Sequence, residues 1–152
     1  MSSTNDSLAM GVNVTVEVHD AATGALVHSE QVHNLVTRVG MNAVRDALNG
    51  SQNSIGITHV AVGTGSAVPS EAHTGLGTEV NRGTTSQRIV TDGSLTIQRF
   101  LGSQDVNGQT LVEAGLFIGT LMFARATFNP LTKSAAATVT LTWTITIGNP
   151  PA

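Results

Sequence analysis

From Gly11 onward the chain alternates with period two. Val12, Val14, Val16 and Val18 are apolar, while Asn13, Thr15, Glu17 and His19 are polar. Successive side chains of a strand point to opposite faces, so this pattern turns four valines to one buried side. Asp20-Ala21-Ala22-Thr23-Gly24 is turn-forming, and Ala25 to Val36 predicts a second strand that completes a hairpin. After Thr37 the period changes. Met41, Val44 and Leu48 recur at three- and four-residue spacing, which predicts a short amphipathic helix over residues 38–48. Thr37 is its N-cap, Asn49-Gly50 its left-handed stop, and Arg38, Asn42 and Arg45 face outward.

The strand signal returns at Ser54. Ile55, Ile57, His59 and Ala61 alternate with Gly56, Thr58, Val60 and Val62, and Gly63-Thr64-Gly65 ends the run. Ser66 to Gly77, with Pro69, Gly75 and Gly77, reads as a surface loop. Thr84 to Val90 and Ser94 to Phe100 flank Thr91-Asp92-Gly93, where Asp-Gly marks a hairpin. Val106-Asn107-Gly108-Gln109 is a further turn. Leu111 to Ile118, Leu121 to Phe128 and Thr138 to Ile147 are three more predicted strands. In the last, Val139, Leu141, Trp143, Ile145 and Ile147 alternate with five threonines from Thr138 to Thr146, a β-branched, uncharged outer face. The expectation is a mainly β fold: an antiparallel β-sandwich or barrel-like domain with one short helix. Met1 to Met10 is small, polar and aperiodic, so residues 1–10 are expected to form an extended N-terminal arm ahead of one β-rich domain, residues 11–152.

Composition narrows the chemistry. Of 152 residues 40% are hydrophobic, enough for one proper core. Only 11% are charged, against roughly 25% in an ordinary soluble domain. The net charge of -3 supplies no basic field for a nucleic-acid backbone. With no cysteine there is no thiolate site or nucleophile. No apolar run approaches the ~20 residues of a membrane span, and MSSTNDSLAM lacks the basic and apolar regions of a signal peptide. A sheet face carpeted in Thr, Ala and Ser is weakly protected against a neighbour's edge. That suits a subunit flanked by copies of itself or by other proteins.

No catalytic, cofactor-binding or metal-ligating residue emerges. The histidines (His19, His28, His33, His59, His73) fall on different strands and loops without ligand spacing; His19 and His28 could approach across the first hairpin. Gly63-Thr64-Gly65-Ser66 lacks the third glycine and following helix of a dinucleotide loop. No G-x-S-x-G elbow occurs, no acidic pair is singled out, and 3% aromatics is poor material for a sugar-stacking cleft. The chain reads as a non-enzyme. Glu113 and Arg125 interrupt otherwise apolar strands, which predicts a structural ion pair across the Leu111–Phe128 hairpin. Trp143 shares the phase of Leu141 and Ile145 and belongs to the core, and the four phenylalanines read as internal.

Three stretches together look familiar. His33-Asn34-Leu35-Val36-Thr37 enters a helix through Gly40-Met41-Asn42. His59-Val60-Ala61-Val62-Gly63-Thr64-Gly65 is followed by Thr74-Gly75-Leu76-Gly77-Thr78-Glu79-Val80-Asn81-Arg82. Glu113-Ala114-Gly115-Leu116-Phe117 precedes Leu121 to Phe128, Lys133 and the terminal Thr-Trp-Thr-Ile strand. This succession, from Val32 to Ile147, resembles small structural proteins of tailed bacteriophages: the decoration (cement), tail-fibre-like and baseplate-associated group. The resemblance implies a non-catalytic β module on the virion, made in the host cytoplasm, contacting other virion proteins of the capsid or tail. It also implies a homo-oligomer, with a trimer favoured. A chain of this size fits a capsid decoration subunit first, and a tail-fibre, tail-adaptor or baseplate component, or a host-receptor or glycan-binding module, second. The expected interface is the arm, through Ser2, Asn5, Leu8 and Met10, and the glycine-rich loop, through Gly63, Thr64, Gly65, Val68, Pro69 and Leu76.

Overall fold

The computed structural model describes residues 8–51 and 56–149. They form ten strands and one helix in the order β1 (Ala9–Asp20), β2 (Leu26–His33), β3 (Leu35–Val36), α1 (Arg38–Leu48), β4 (His59–Gly63), β5 (Glu79–Thr84), β6 (Gln87–Thr91), β7 (Ser94–Leu101), β8 (Thr110–Ile118), β9 (Leu121–Thr132) and β10 (Ala137–Gly148). Two five-stranded antiparallel sheets, ordered β2-β1-β10-β7-β6 and β3-β9-β8-β4-β5, pack as a sandwich rather than a closed barrel.

The first sheet is built on β1 and β10, which stay in register from Ala9↔Gly148 to Asp20↔Ala137. Val14 lies opposite Trp143, Val16 opposite Leu141 and Val18 opposite Val139. All six side chains are buried, and the threonines between the β10 core residues line the other face, the alternation expected of a sheet solvated on one side. Trp143 is fully buried, and its indole N–H has no partner among the described residues. Leaving that donor unpaired costs on the order of 1–3 kcal/mol, which the burial of so large a ring offsets.

The second sheet is covered on both faces. Val60, Val62, Ala114, Leu116, Ala124 and Ala126 join the main core, while Ala61, Phe117 and Met122 form a separate cluster under Leu76. A sheet buried on both sides reads as a nearly unbroken apolar run, which is why β8 and β9 look continuous rather than alternating.

Element boundaries differ from the sequence expectation in several places. β1 starts at Ala9, so Ala9 and Met10 belong to the sheet and not to the arm. The second predicted strand breaks at Asn34, where the chain leaves the first sheet as β2 and enters the second as β3. The run from Thr84 to Val90 divides, because β5 ends at Thr84 and β6 begins at Gln87. β5 itself has no predicted counterpart, since Asn81, Arg82 and Gly83 hide its period. Ile57 and Thr58 precede β4, and Ile55 lies outside the described residues. Phe100 is not internal: it is 51% exposed on the outer side of β7.

The helix forms where expected, and Val44 of the expected face packs against the core, but the closest contact is made by smaller residues. Thr37 caps it, accepting from the Gly40 amide at 2.9 Å and donating its hydroxyl to the Met122 carbonyl at 2.7 Å. Its buried residues are Gly40 and Ala43, whereas Leu48 is 81% exposed. A small residue faces β9 because the approach is so close. A Cβ on Gly40 would lie 2.5 Å from the Phe123 carbonyl oxygen and 3.0 Å from its Cα, so no larger residue fits without moving backbone.

Gly40→Ala should therefore reverse the usual sign. Alanine favours a helix interior by about 0.8–1.0 kcal/mol over glycine, yet here the protein should lose about 2 kcal/mol through overpacking. The midpoint of urea unfolding measures the difference.

Candidate functional site

The most organised polar assembly lies on the outer side of the second sheet. Glu113 on β8 and Arg125 on β9 are offset across the hairpin, Glu113 opposite Thr127 and Arg125 opposite Gly115. Their side chains are buried and joined, Arg125 Nε to Glu113 Oε1 at 2.9 Å. This is the ion pair that the two charged interruptions predict.

What covers the pair is the loop between β4 and β5. Glu113 Oε2 accepts from the amides of Gly65 at 2.6 Å and Thr78 at 2.8 Å, and Oε1 accepts from Gly77 at 2.8 Å. Arg125 Nη1 donates to the Ala67 carbonyl at 2.7 Å, and Nη2 to that of Gly65 at 3.3 Å. One carboxylate thus gathers both ends of the loop, and one guanidinium fastens its first half. Burial pushes the Glu113 carboxyl up, but the amides of Thr78, Gly77 and Gly65 and the Arg125 guanidinium outweigh it and hold it below its ordinary value. Gly65 is glycine for a steric reason: a Cβ there would meet Glu113 Oε2 at 2.6 Å and Gly77 Cα at 2.7 Å. The loop is also tied to the start of α1, where the Arg38 amide donates to the Glu71 carbonyl at 2.8 Å. The side chains of the same two residues form an exposed ion pair.

These bonds sort the expected interface residues. Gly63 is buried in β4 and Gly65 is half-buried beneath the loop, so both serve the clasp. Leu76 packs on Ala61, Phe117 and Met122. Thr64 and Pro69 are half-buried, while Val68 stands 83% exposed at the top of the loop. Leu8, just before β1, is 64% exposed. Met10, in β1 opposite Ile147, joins Leu8, Val36, Met41 and Val44 around a shallow apolar depression of about 260 Å³. Ser2 and Asn5 lie outside the described residues. The structure thus places the residues expected to form one interface in two separate locations.

Two further buried cations are not singled out by the sequence as site residues. Arg99 on β7 reaches across the sandwich to the Val60 carbonyl at 2.7 Å and to Asn81 Oδ1. Lys133 donates to Asn107 Oδ1 at 3.0 Å and to the Ser134 carbonyl at 2.9 Å, fastening the turn before β8. Burial lowers the pKa of both, and Asp105 opposes the effect. His19 and His28 are not cross-strand partners, because a bulge places Leu26 opposite His19. Among the described residues no three His, Asp or Glu side chains are grouped to hold a metal ion. Beside the clasp, Ala67, His73, Thr74, Leu76 and Arg125 line an open pocket of about 380 Å³. Compared with protein-family models, with curated proteins and with solved structures, the chain matches none.

Glu113→Gln keeps the shape but turns one carboxylate oxygen into an NH₂ group facing backbone amides. Breaking a buried pair in this way should cost about 3 kcal/mol, and hydrogen exchange should quicken first at residues 64–78. The acid limb of the stability profile supplies a second readout. Because the folded pKa is depressed, the carboxylate's contribution is complete above the unfolded value near 4.5 and fades as pH falls through the lower folded value. Thermal melts of Glu113→Gln should therefore lose pH dependence in that acid range relative to the parent protein.

Proposed function

We propose that the protein is a non-enzymatic structural component of a tailed-phage virion, a capsid decoration or cement subunit that adheres to repeated neighbours. The observation that carries this reading is Val68. An apolar side chain is held out to solvent, 83% exposed, on a loop whose two ends are gathered by a buried carboxylate. A loop already ordered spends little conformational entropy on docking, so a modest contact yields more affinity. Many equivalent contacts on a repetitive shell then add through avidity. The resemblance of the three sequence stretches to virion proteins supports the same reading, as does the sparsely charged, threonine-lined face of the first sheet. No described helix is long and apolar enough to cross a membrane.

Phe100 favours a second reading, a receptor- or glycan-binding module at the host-contacting end of a tail. Its ring is half-exposed on the outer side of β7 beside Gly102, and an exposed aromatic face suits a sugar ring. Copy number separates the two: a shell subunit is present in hundreds of copies, a tail component in a handful to a few dozen.

Val68→Asp should leave stability unchanged within about 0.5 kcal/mol, as expected for an exposed site, and should sharply reduce occupancy on purified virions by quantitative mass spectrometry. Removing residues 1–7, which leaves β1 whole, tests the arm separately. Full occupancy by both variants would reject the adhesive reading, and glycan binding abolished by Phe100→Ala would establish the second.

A further inference from the structure

Among the described residues each sandwich edge ends in a strand with a free side, and three of the four are guarded. β3 is two residues long and runs straight into α1. β5 carries the Glu79–Arg82 ion pair, with Arg82 lying over the Phe117 ring at 3.7 Å, and a register shift against β4. β2 is bulged against β1, and its Glu30 carboxylate accepts the Asn129 amide of β9. β6 is different. It pairs with β7 without a bulge from Gln87↔Gln98 to Thr91↔Ser94, and all five of its residues are exposed. It contains no lysine or proline to blunt it, and Val90 is 80% exposed. An unguarded edge carrying an exposed apolar side chain is a template for another strand.

The backbone and the charges identify that strand. Thr91↔Ser94 closes the two-residue turn Asp92-Gly93, so the amides and carbonyls of Thr91 and Ile89 are turned toward β7. Those of Arg88 and Val90 therefore point away from the sheet. We propose that β6 is the joint through which two copies of this chain pair, antiparallel and about a two-fold axis through Val90, merging their first sheets into one. In this register Val90 meets the partner's Val90 as a hydrogen-bonding pair, and Arg88 lies opposite the partner's Asp92 on each side of the axis. Among the described residues neither Arg88 nor Asp92 has an ion pair or side-chain hydrogen bond within its own chain. Moving the axis by one residue, to Ile89, would set Arg88 against the partner's Val90 and leave Asp92 without a charged partner, so the charges select the register. The segment Arg88-Ile89-Val90-Thr91-Asp92 is thus complementary to itself, which makes a second copy the occupant the edge fits. This proposal does not depend on the virion reading.

Sedimentation equilibrium of the full chain tests it. A reversible monomer–dimer equilibrium is expected, weakened by salt because two exposed charge pairs flank the axis. Val90→Lys should give a monomer with an unchanged melting temperature. Arg88→Asp sets like charges against each other and should weaken the dimer about tenfold, and Arg88→Asp combined with Asp92→Arg should restore it. A parent protein monomeric at every concentration would overturn the proposal. So would a dimer indifferent to Val90→Lys, or a folded double reversal that stays weak. Trimers or larger species abolished by Val90→Lys would also overturn it, since β6 would then be meeting a different edge.

Discussion

The buried pair of Glu113 and Arg125 is the constraint on which the second sheet depends. Its position on the outer side of that sheet would ordinarily face water. Because the β4–β5 loop closes over it, the ions lose their hydration, and the loop must return hydrogen bonds to replace it. Three amides and one guanidinium converge on the carboxylate, and two loop carbonyls receive the guanidinium. The pair and the loop are therefore mutually conditional. Without the loop the charges return to water, and without the charges the loop keeps only Leu76 and its ties to the start of α1. The glycine at position 65 follows from the same geometry, since the chain passes within contact of both the carboxylate and Gly77.

This arrangement makes the sandwich asymmetric. The first sheet turns one face to the core and the other, rich in threonine, to solvent. The second sheet is enclosed between the core and a shell made of the loop, Leu76 and the start of α1. Arg99 then links the two sheets directly, its guanidinium on β7 bonded to the Val60 carbonyl and Asn81 on the opposite side. The structure thus has a plain face, an armoured face and an open edge at β6, and the two proposed adhesive features sit in different places: Val68 on the armour and Val90 on the edge.

How much of this could be read from the chain followed from how many faces each strand buries. β1 and β10 bury one face, so period two appeared cleanly and their extents were predicted within two residues. The helix was announced by its cap, Thr37; of its expected face Val44 packs on the core while Leu48 is exposed, and the fully buried residues are Gly40 and Ala43. Periodicity weighs Met41, Val44 and Leu48 by their apolarity, whereas a close backbone approach selects Gly40 and Ala43 by their smallness. β5 was hidden because an edge strand needs few apolar residues, and Asn34 marks a change of sheet that leaves no compositional trace. In the site, Glu113 and Arg125 were visible as charges out of place in apolar strands. Their loop partners were not, because they contribute backbone amides and carbonyls that every residue possesses. The burial of Arg99 and Lys133 was likewise silent, since a lone cation in a strand or just past its end usually lies at the surface.

The pairing of β1 with β10 has a bearing on biosynthesis. The first and last strands of the described residues are direct neighbours in the middle of the first sheet, joined from Ala9↔Gly148 to Asp20↔Ala137. Until β10 emerges from the ribosome, β1 can find only β2, and its valines lack Trp143, Leu141 and Val139. The second sheet, whose strands all precede β10, can assemble on the nascent chain, whereas the first must wait for β10 to emerge. Closing so long a loop is slow compared with local pairing, so the newly made chain passes through a half-built stage with an apolar strand uncovered, the interval in which chaperones would find it.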